Sequence, residues 1–269
     1  MEKEIEFYGK RIKFYEYGSG IPVVLLHGYL ESSLIWGSFA EKLAAKYRVI
    51  AIDLPGHGQS ETCGEIHTME FMAKIIFELF ETLNIEKAFI IGHSLGGYVT
   101  LAFLDLYPDK VSGICLFHSH PFADSKETIL KRKREIEVVN AGKKNLMYPD
   151  NVTKMYADGN LSNFSSALER SKIIASQTPV TGLIAVLNGM MKRPSRAILM
   201  EKGLVPCLWL LGKYDNYINY EVITEKIKLP PDAYVVILEK SGHLGFIEEE
   251  TESLKVIIKF INSNIQNTD

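Results

Sequence analysis

The stretch IIGHSLGG at residues 90–97 decides the fold of this chain. It contains Gly-x-Ser-x-Gly, a pattern that has meaning only where it follows a strand and opens a helix. Residues 88–91 form a short, wholly apolar run, which is typical of a strand buried on both faces. Residues 95–107 have a helical pattern that Pro108 ends, because proline cannot continue a helix. The sequence therefore predicts a sharp strand-to-helix turn at Ser94.

This turn suits Ser94 to the role of a nucleophile. Such a tight backbone needs small residues two positions before and two after the serine, which explains Gly92 and Gly96. Ser94 then lies at the amino terminus of a helix, where the helix dipole favours developing negative charge. The alternative is a glycine-rich turn that only packs, or one that binds a phosphate. Neither Gly-x-Gly-x-x-Gly nor a P-loop ending in Gly-Lys-Ser/Thr is present, so phosphate binding is disfavoured.

Strand-like and helix-like segments alternate on both sides of this turn. Further apolar runs occur at residues 23–26, 49–52, 111–117, 207–211 and 234–238. Helical spacing occurs at residues 33–45, 68–83 and 252–261, and residues 5–8 and 12–17 flank Gly9-Lys10 as an opening antiparallel hairpin. This order predicts an α/β fold with a mostly parallel, doubly wound sheet of about eight strands.

The alternation of strand-like and helix-like segments stops at residues 121–202, and this interval is too long to be a structureless loop. They contain helix-like pieces at residues 164–175 and 183–191, and Asp124 with Glu127 forms a possible capping pair before a third piece. We predict a helical cap insertion at 121–202 over the carboxyl ends of the strands, and a core domain made of 1–120 and 203–269.

The composition narrows the class of partner. A net charge of -3, a hydrophobic fraction of 46% and a charged fraction of 23% give no field that recruits nucleic acid or an anionic membrane. The basic run at residues 131–134 is flanked by glutamates and reads as a solvated helix face. We expect a small-molecule partner, no disulfide among the three cysteines and no metal site. The charged amino terminus and the lack of a long apolar window predict a cytoplasmic location.

A serine hydroxyl needs a base, and the base needs a carboxylate that fixes its tautomer. His243 follows the late apolar run at 234–238, and Asp215 follows the run at 207–211, so both are expected at the carboxyl ends of neighbouring strands. The alternatives are His118 or His120 as the base and Asp124 as the acid. The chain order Ser94, Asp215, His243 is the one this type of site uses.

Attack on a carbonyl produces an oxyanion that needs preorganised donors. The backbone N–H groups of Tyr29, just after the early apolar run, and of Leu95, at the helix start, are predicted to form this oxyanion hole. Four further side chains are candidates for the substrate pocket. These are His27, Trp36, His118 and Phe122.

These residues resemble the α/β-hydrolase superfamily over essentially the whole chain apart from the insertion. DLPGHGQS at residues 53–60 resembles a loop common in its branch of esterases, epoxide hydrolases, dehalogenases and cofactor-free haloperoxidases, where the loop is mainly structural. The resemblance implies that residues 121–202 form the cap that shapes the pocket. Epoxide hydrolases and dehalogenases of this family carry aspartate where this chain has Ser94, and the Gly28-Tyr29 pair lacks the triple glycine of the lipase-type branch.

We therefore expect a cofactor-independent serine hydrolase that acts on a small carboxylic ester, thioester or lactone with water, through an acyl-enzyme. The same three side chains would also serve a carbon-carbon bond hydrolase, a lyase or a perhydrolase. A small-molecule receptor of low turnover on the same fold is a third possibility.

Overall fold

A computed structural model describes residues 1–231 and 233–265, and an eight-stranded sheet forms its centre. The strands are β1 Glu2–Phe7, β2 Lys10–Tyr17, β3 Pro22–Leu26, β4 Arg48–Ile52, β5 Ala88–His93, β6 Val111–Phe117, β7 Cys207–Gly212 and β8 Tyr234–Leu238. Their order in the sheet is β1-β2-β4-β3-β5-β6-β7-β8. The β1/β2 and β2/β4 pairs are antiparallel, and all the others are parallel. The predicted fold class is confirmed.

Helices cover both faces of this sheet. They are α1 Gly37–Ala44, α2 Met69–Thr82, α3 Leu95–Leu106, α4 Lys126–Asn140, α5 Lys144–Thr153, α6 Ser165–Gln177, α7 Val180–Lys192, α8 Ala197–Lys202, α9 Tyr220–Thr224, α10 Gly245–Glu248 and α11 Glu250–Asn264. One hydrophobic core lies between the sheet and α2 and α3, and a second lies under α1 and α11. Two buried layers explain why the central strands are apolar on both faces.

Local capping agrees with the sequence at α2, where the Thr68 hydroxyl accepts a hydrogen bond from the Phe71 N–H at 3.1 Å. It differs at α4. There the Ser125 hydroxyl accepts from the Thr128 N–H, whereas we predicted Asp124 as the cap. The reason is that the Asp124 carboxylate is occupied by arginines, Arg132 among them.

Five helices, α4 to α8, fill the interval between β6 and β7. The helix-like pieces predicted at residues 164–175 and 183–191 correspond to α6 and α7. Helix α5 was not predicted, because Pro149 lies inside it and interrupts the sequence pattern. The division of the chain into a core and a cap stays a prediction.

Helix α7 packs on the core with its backbone at two glycines as well as with apolar side chains such as Leu183 and Val186. A Cβ atom added to Gly182 would lie 2.1 Å from the Gly56 carbonyl oxygen, and one added to Gly189 would lie 1.7 Å from that of His67. The His67 N–H also donates to the Ala185 carbonyl at 2.9 Å. Only glycine permits such close contact at these two positions.

Among the described helices, none alone has the length and apolar character of a membrane span. Helices α6 and α7 meet that requirement only as a pair, and they bend by 93° where they join.

Candidate active site

Ser94 occupies a strained turn between β5 and α3. Its φ is 47° and its ψ is −109°, a backbone conformation that non-glycine residues rarely adopt. The flanking glycines are needed for space. A Cβ on Gly96 would lie 2.1 Å from the Leu26 carbonyl oxygen, and one on Gly92 would lie 2.4 Å from the Gly96 carbonyl oxygen. The turn brings β3, β5 and α3 together at the serine, as the sequence predicted.

Asp215 and His243 form a buried hydrogen-bonded pair beyond β7 and β8. His243 Nδ1 donates to Asp215 Oδ2 at 2.7 Å. Asp215 Oδ1 accepts from the N–H groups of Tyr217 at 2.8 Å and Ile218 at 3.0 Å, so the carboxylate is fixed on both oxygens. The side chains of Asp215 and His243 are only 1% and 4% exposed.

The environment of this pair lowers the pKa of Asp215 and raises the pKa of His243, so it favours the charged form of both side chains. Burial raises the pKa of Asp215, but the charges and hydrogen bonds of His243 and His118 outweigh it and hold that pKa far below its usual range. Burial lowers the pKa of His243, and the Asp215 carboxylate outweighs it, so the pKa is raised above 6.5. Asp215 therefore remains ionised and stabilises a protonated His243.

Ser94 and His243 line the same cavity, whose volume is about 420 Å³. In the part of the chain that the structure describes, no hydrogen bond joins the Ser94 hydroxyl to the His243 ring. Hydrogen bonds between nucleophile and base are often long before substrate binds. Because Nδ1 is committed to Asp215, Nε2 is the ring nitrogen of His243 that remains for a proton from Ser94.

The two backbone groups predicted for the oxyanion hole are uncommitted. Among the described residues, neither the Tyr29 N–H nor the Leu95 N–H donates to another protein group. Tyr29 also contributes its side chain, which the sequence did not suggest. Its hydroxyl donates to Glu135 Oε1 at 2.8 Å and lies 2.9 Å from the Tyr148 hydroxyl, so it ties this loop to α4 and α5.

His93 and Glu31 form a second buried pair beside the nucleophile, and sequence reasoning missed it. His93 Nδ1 lies 2.9 Å from Glu31 Oε2, and His93 Nε2 donates to the carbonyl oxygen of His243 at 2.8 Å. Glu31 Oε2 also accepts from the Gly28 N–H at 2.6 Å. The pair therefore connects the predicted oxyanion loop, the turn that carries Ser94 and the loop that carries His243.

His118 lies behind Asp215, in the left-handed backbone region with a φ of 45°. Its Nε2 accepts from the Gly245 N–H at 3.1 Å, so the proton is on Nδ1, which lies 3.4 Å from Asp215 Oδ2 in a poorly aligned contact. Burial is the main reason that the pKa of His118 is lowered to about 4. His118 is thus a neutral neighbour of the acid.

His118, Asp215 and His243 offer ligand atoms within 4.8 Å of one another, which is close enough for a metal ion. These atoms are already engaged in hydrogen bonds, because His243 Nδ1 donates to Asp215 Oδ2 and His118 Nε2 accepts from the Gly245 N–H. A metal ion bound here would have to break the His243 to Asp215 hydrogen bond. The arrangement fits a base with its orienting acid better than a metal centre.

The four side chains predicted for the pocket divide unevenly. Phe122 lines the cavity with Ser94, but His27, Trp36 and His118 lie outside its lining. His27 Nε2 accepts from the Leu54 N–H at 3.0 Å, which uses it to hold the core. Trp36 packs against Phe246, with 4.5 Å between the ring centroids. These three are buried packing residues at positions where we expected pocket residues.

The alternative base and acid have other partners. His120 lines the cavity, and its ring contacts the Tyr98 hydroxyl at 3.2 Å and the Phe122 N–H at 3.2 Å. Asp124 pairs with Arg132 and Arg193 and has no hydrogen bond to His243. Asp53, in the loop at 53–60, accepts from the Ser33 N–H at 2.7 Å and the Gln59 N–H at 2.8 Å, which is a structural role.

Glu248 holds the loop of His243 in place, and nothing in the sequence marked it. Its Oε1 accepts from the Gly242 N–H at 2.9 Å, and its Oε2 accepts from the Ala157 N–H at 2.9 Å and the Asn160 amide at 2.7 Å. The His243 N–H itself donates to the Met155 carbonyl at 2.6 Å. The loop therefore depends on the segment between α5 and α6 for its position.

Comparison with known proteins agrees with the fold. A family model described as the alpha/beta hydrolase fold matches residues 21–250. The chain therefore belongs to the alpha/beta hydrolase fold family and is a hydrolase-type enzyme of that fold.

Three proteins that are similar to this chain illustrate the range of the family. The structure of a thermophilic esterase from Thermogutta terrifontis, recorded with malate bound, is 26% identical, with a TM-score of 0.90 and 98% of both chains covered. A putative 2-succinyl-6-hydroxy-2,4-cyclohexadiene-1-carboxylate synthase from Bacillus subtilis is 26% identical, with 90% of each chain covered. The dihydrolipoyllysine-residue acetyltransferase component of an acetoin cleaving system from Pseudomonas putida is 26% identical, over 97% of this chain and 70% of that protein.

Proposed function

We propose that this protein is a serine hydrolase that cleaves a small carboxylic ester, thioester or lactone through an acyl-enzyme on Ser94. Support comes first from one arrangement. The strained Ser94 and the Asp215-bound His243 face the same cavity of about 420 Å³. The esterase named among its relatives supports the same class of reaction.

The first half of the reaction forms the acyl-enzyme. His243 Nε2 takes the proton of the Ser94 hydroxyl as its oxygen attacks the carbonyl carbon. The negative charge moves to the carbonyl oxygen, where the N–H groups of Tyr29 and Leu95 donate to it. When the intermediate collapses, the bond to the leaving group breaks and His243 returns the proton to the departing alcohol or thiol.

The second half uses water. His243 takes a proton from a water molecule, whose oxygen attacks the acyl carbon and displaces Ser94. The proton then passes from His243 to the serine oxygen, which restores the enzyme and releases the carboxylic acid. Asp215 stays ionised throughout, because its carboxylate stabilises the protonated imidazole in both halves. All of these roles fall on residues of this chain.

A reaction of another type is the second candidate. The relatives include a putative synthase as well as an esterase, and the triad proposed here would also suit a carbon-carbon bond hydrolase, a lyase or a perhydrolase. A small-molecule receptor is a third reading, in which Ser94 would not be activated.

Labelling with a serine-directed aryl phosphonate, followed by peptide mass spectrometry, separates an activated serine from a receptor. We expect one equivalent of label on Ser94, abolished in Ser94→Ala and slowed in His243→Ala. Turnover of p-nitrophenyl acetate should fall by about 10⁴-fold or more in Ser94→Ala. Label on another residue, or wild-type turnover in Ser94→Ala, would refute the assignment. Labelling of Ser94 without hydrolysis of any ester would favour the second candidate.

A further inference from the structure

We propose that the cavity above Ser94 contains an anion-binding subsite, formed by Arg132 and Lys226 with Tyr98. It would take a carboxylate carried by the substrate at a distance from the ester bond. This deepens the proposed function, since it names the substrate as an ester that also bears a carboxylate. Arg132, Lys226, Tyr98 and Ser94 all line the same cavity.

The first observation is a charge imbalance on the wall of the cavity. Asp124 pairs with Arg132 Nε at 2.7 Å and with Arg193 Nη1 at 2.7 Å. The side chains of Asp124 and Arg193 are each 2% exposed, and that of Arg132 is 16% exposed. Two guanidinium groups thus share one carboxylate. Burying an unbalanced charge costs free energy, which an anionic ligand would offset.

The guanidinium groups keep donors that no described residue uses. Arg132 commits Nε and Nη2 to Asp124, which leaves Nη1 without a protein partner. Arg193 lies over the Tyr98 ring at 3.8 Å, and its Nε and Nη2 are buried without a hydrogen bond. Arg193 does not line the cavity, so it acts through its charge and through Tyr98, while Arg132 offers the direct contact.

Glu135 is the other acidic side chain on this wall, and its environment weakens it as a counter-charge. Burial is the largest influence and raises its pKa, although the Tyr29 hydroxyl and Arg132 act in the opposite direction. Its Oε1 already accepts from the Tyr29 hydroxyl at 2.8 Å. Glu135 therefore does not neutralise Arg132 by a direct ion pair.

Lys226 adds a second cation to the cavity lining. It follows α9, is exposed and lines the cavity, and among the described residues it has no ion-pair partner. Lys131 lines the cavity as well, but Glu127 pairs with it at 2.8 Å. Lys226 is thus the free ammonium group at this end of the cavity.

His120 lies in the electric field of these cations, and it orients the Tyr98 hydroxyl. Burial first, and then the charges of Arg193, Arg132 and Lys226, lower its pKa to about 3. His120 is therefore neutral. Its Nδ1 accepts from the Phe122 N–H, so Nε2 carries the proton and donates to the Tyr98 oxygen at 3.2 Å. The hydroxyl hydrogen of Tyr98 is left to donate to a ligand.

The test compares chain-matched substrates. Mono-p-nitrophenyl esters of adipate and suberate carry a free carboxylate, and the same esters capped as methyl esters do not. We expect the wild-type kcat/KM to be about tenfold higher for the free acids, in line with one charge-assisted contact. This ratio should fall to near one in Lys226→Gln and in Arg132→Gln, and should be retained in Lys228→Gln, whose lysine is exposed and outside the cavity lining.

A binding measurement separates failure of the subsite from failure of the proposed function. Calorimetric titration of Ser94→Ala with adipate and with uncharged adipamide needs no turnover, and we expect only adipate to bind, with weaker binding in Lys226→Gln. Hydrolysis of capped esters at Ser94 without adipate binding or a free-acid preference would overturn the subsite and leave the hydrolase proposal standing. Lys226-dependent adipate binding without any ester hydrolysis would overturn the hydrolase proposal and leave the subsite standing. Urea unfolding of Arg132→Gln shows whether its result reflects binding or misfolding.

Discussion

His93 Nδ1 lies 2.9 Å from Glu31 Oε2, and the two side chains are 0% and 3% exposed. The opposite ring nitrogen of His93 donates to a carbonyl oxygen, that of His243. A carbonyl oxygen only accepts hydrogen bonds, so His93 Nε2 carries a proton, and the Nδ1 contact with Glu31 holds the ring in a fixed orientation. Burial raises the pKa of Glu31, but His93 and the Gly28 N–H outweigh it and the net shift is downward. The two side chains therefore form a buried hydrogen-bonded pair beneath the site.

Removing Glu31 should destabilise the protein strongly. Glu31→Ala leaves the Gly28 N–H and the His93 ring buried without their shared partner, and we expect the free energy of unfolding to fall by about 3 kcal/mol. Glu31→Gln should cost less, because an amide can serve either the Gly28 N–H or His93. Urea unfolding monitored by circular dichroism measures both variants. Glu201→Ala, which removes an exposed glutamate on α8, is the control, and a Glu31→Ala midpoint equal to that of the control would contradict a stabilising role for the buried pair.

Asp215→Asn should retain the fold and lose most of the activity. An asparagine of the same shape does not stabilise protonated His243 and allows the wrong tautomer, so kcat should fall by roughly 10⁴-fold. Hydrolysis of p-nitrophenyl acetate measures this, with Asp158→Asn, an exposed aspartate, as the control. Activity within tenfold of wild type would show that another group orients His243.

The pH dependence of kcat/KM should follow His243. Because Asp215 raises the pKa of His243 above 6.5 and the neutral imidazole is the active form, the rate at pH 6.5 should be less than half of its maximum. In Asp215→Asn the midpoint should move to lower pH. His118 and His120, with pKa values of about 4 and about 3, titrate too low to produce this limb. A wild-type midpoint clearly below 6.5 would exclude His243 as the titrating base.

Gly96→Ala should disturb the turn at Ser94. The added Cβ would lie 2.1 Å from a backbone oxygen of Leu26, which cannot move without shifting β3, so we expect a loss of about 3 kcal/mol, the upper end for overpacking. Labelling of Ser94 by phosphonate should slow in parallel. Gly159→Ala is the matched control, since a Cβ there meets nothing within 4 Å. Equal unfolding midpoints for the two variants would contradict this account of the turn.

The sequence predicted the strands well, and it also predicted that Asp215 and His243 lie close together, for a physical reason. Strands buried on both faces appear in the sequence as short apolar runs, and the polar residues that follow them meet at one edge of a parallel sheet. This brought Asp215 beside His243 from residues far apart in the chain. The strained backbone of Ser94 was also legible, because the glycines it requires are part of the motif.

Charge pairs between distant segments were not predictable in the same way. Glu31 and His93, or Asp124 and Arg193, meet only because the chain folds around them, and no local spacing marks them. The basic run at residues 131–134 was read as a solvated face, and for Arg132 this was wrong. Arg132, Glu135 and Val139 follow helical spacing on α4 and turn toward the interior, while the other members of the run are exposed.

The contact of α7 with the core at Gly182 and Gly189 limits how the cavity can change shape. Two backbone surfaces in direct contact, joined by the hydrogen bond from His67 to Ala185, cannot slide without breaking that bond and opening a void. A change in the shape of the cavity would therefore come from its other lining elements, chiefly α4 and the segment 217–226, while α7 stays in place. Adaptation to longer or bulkier substrates would be concentrated in those two parts of the chain.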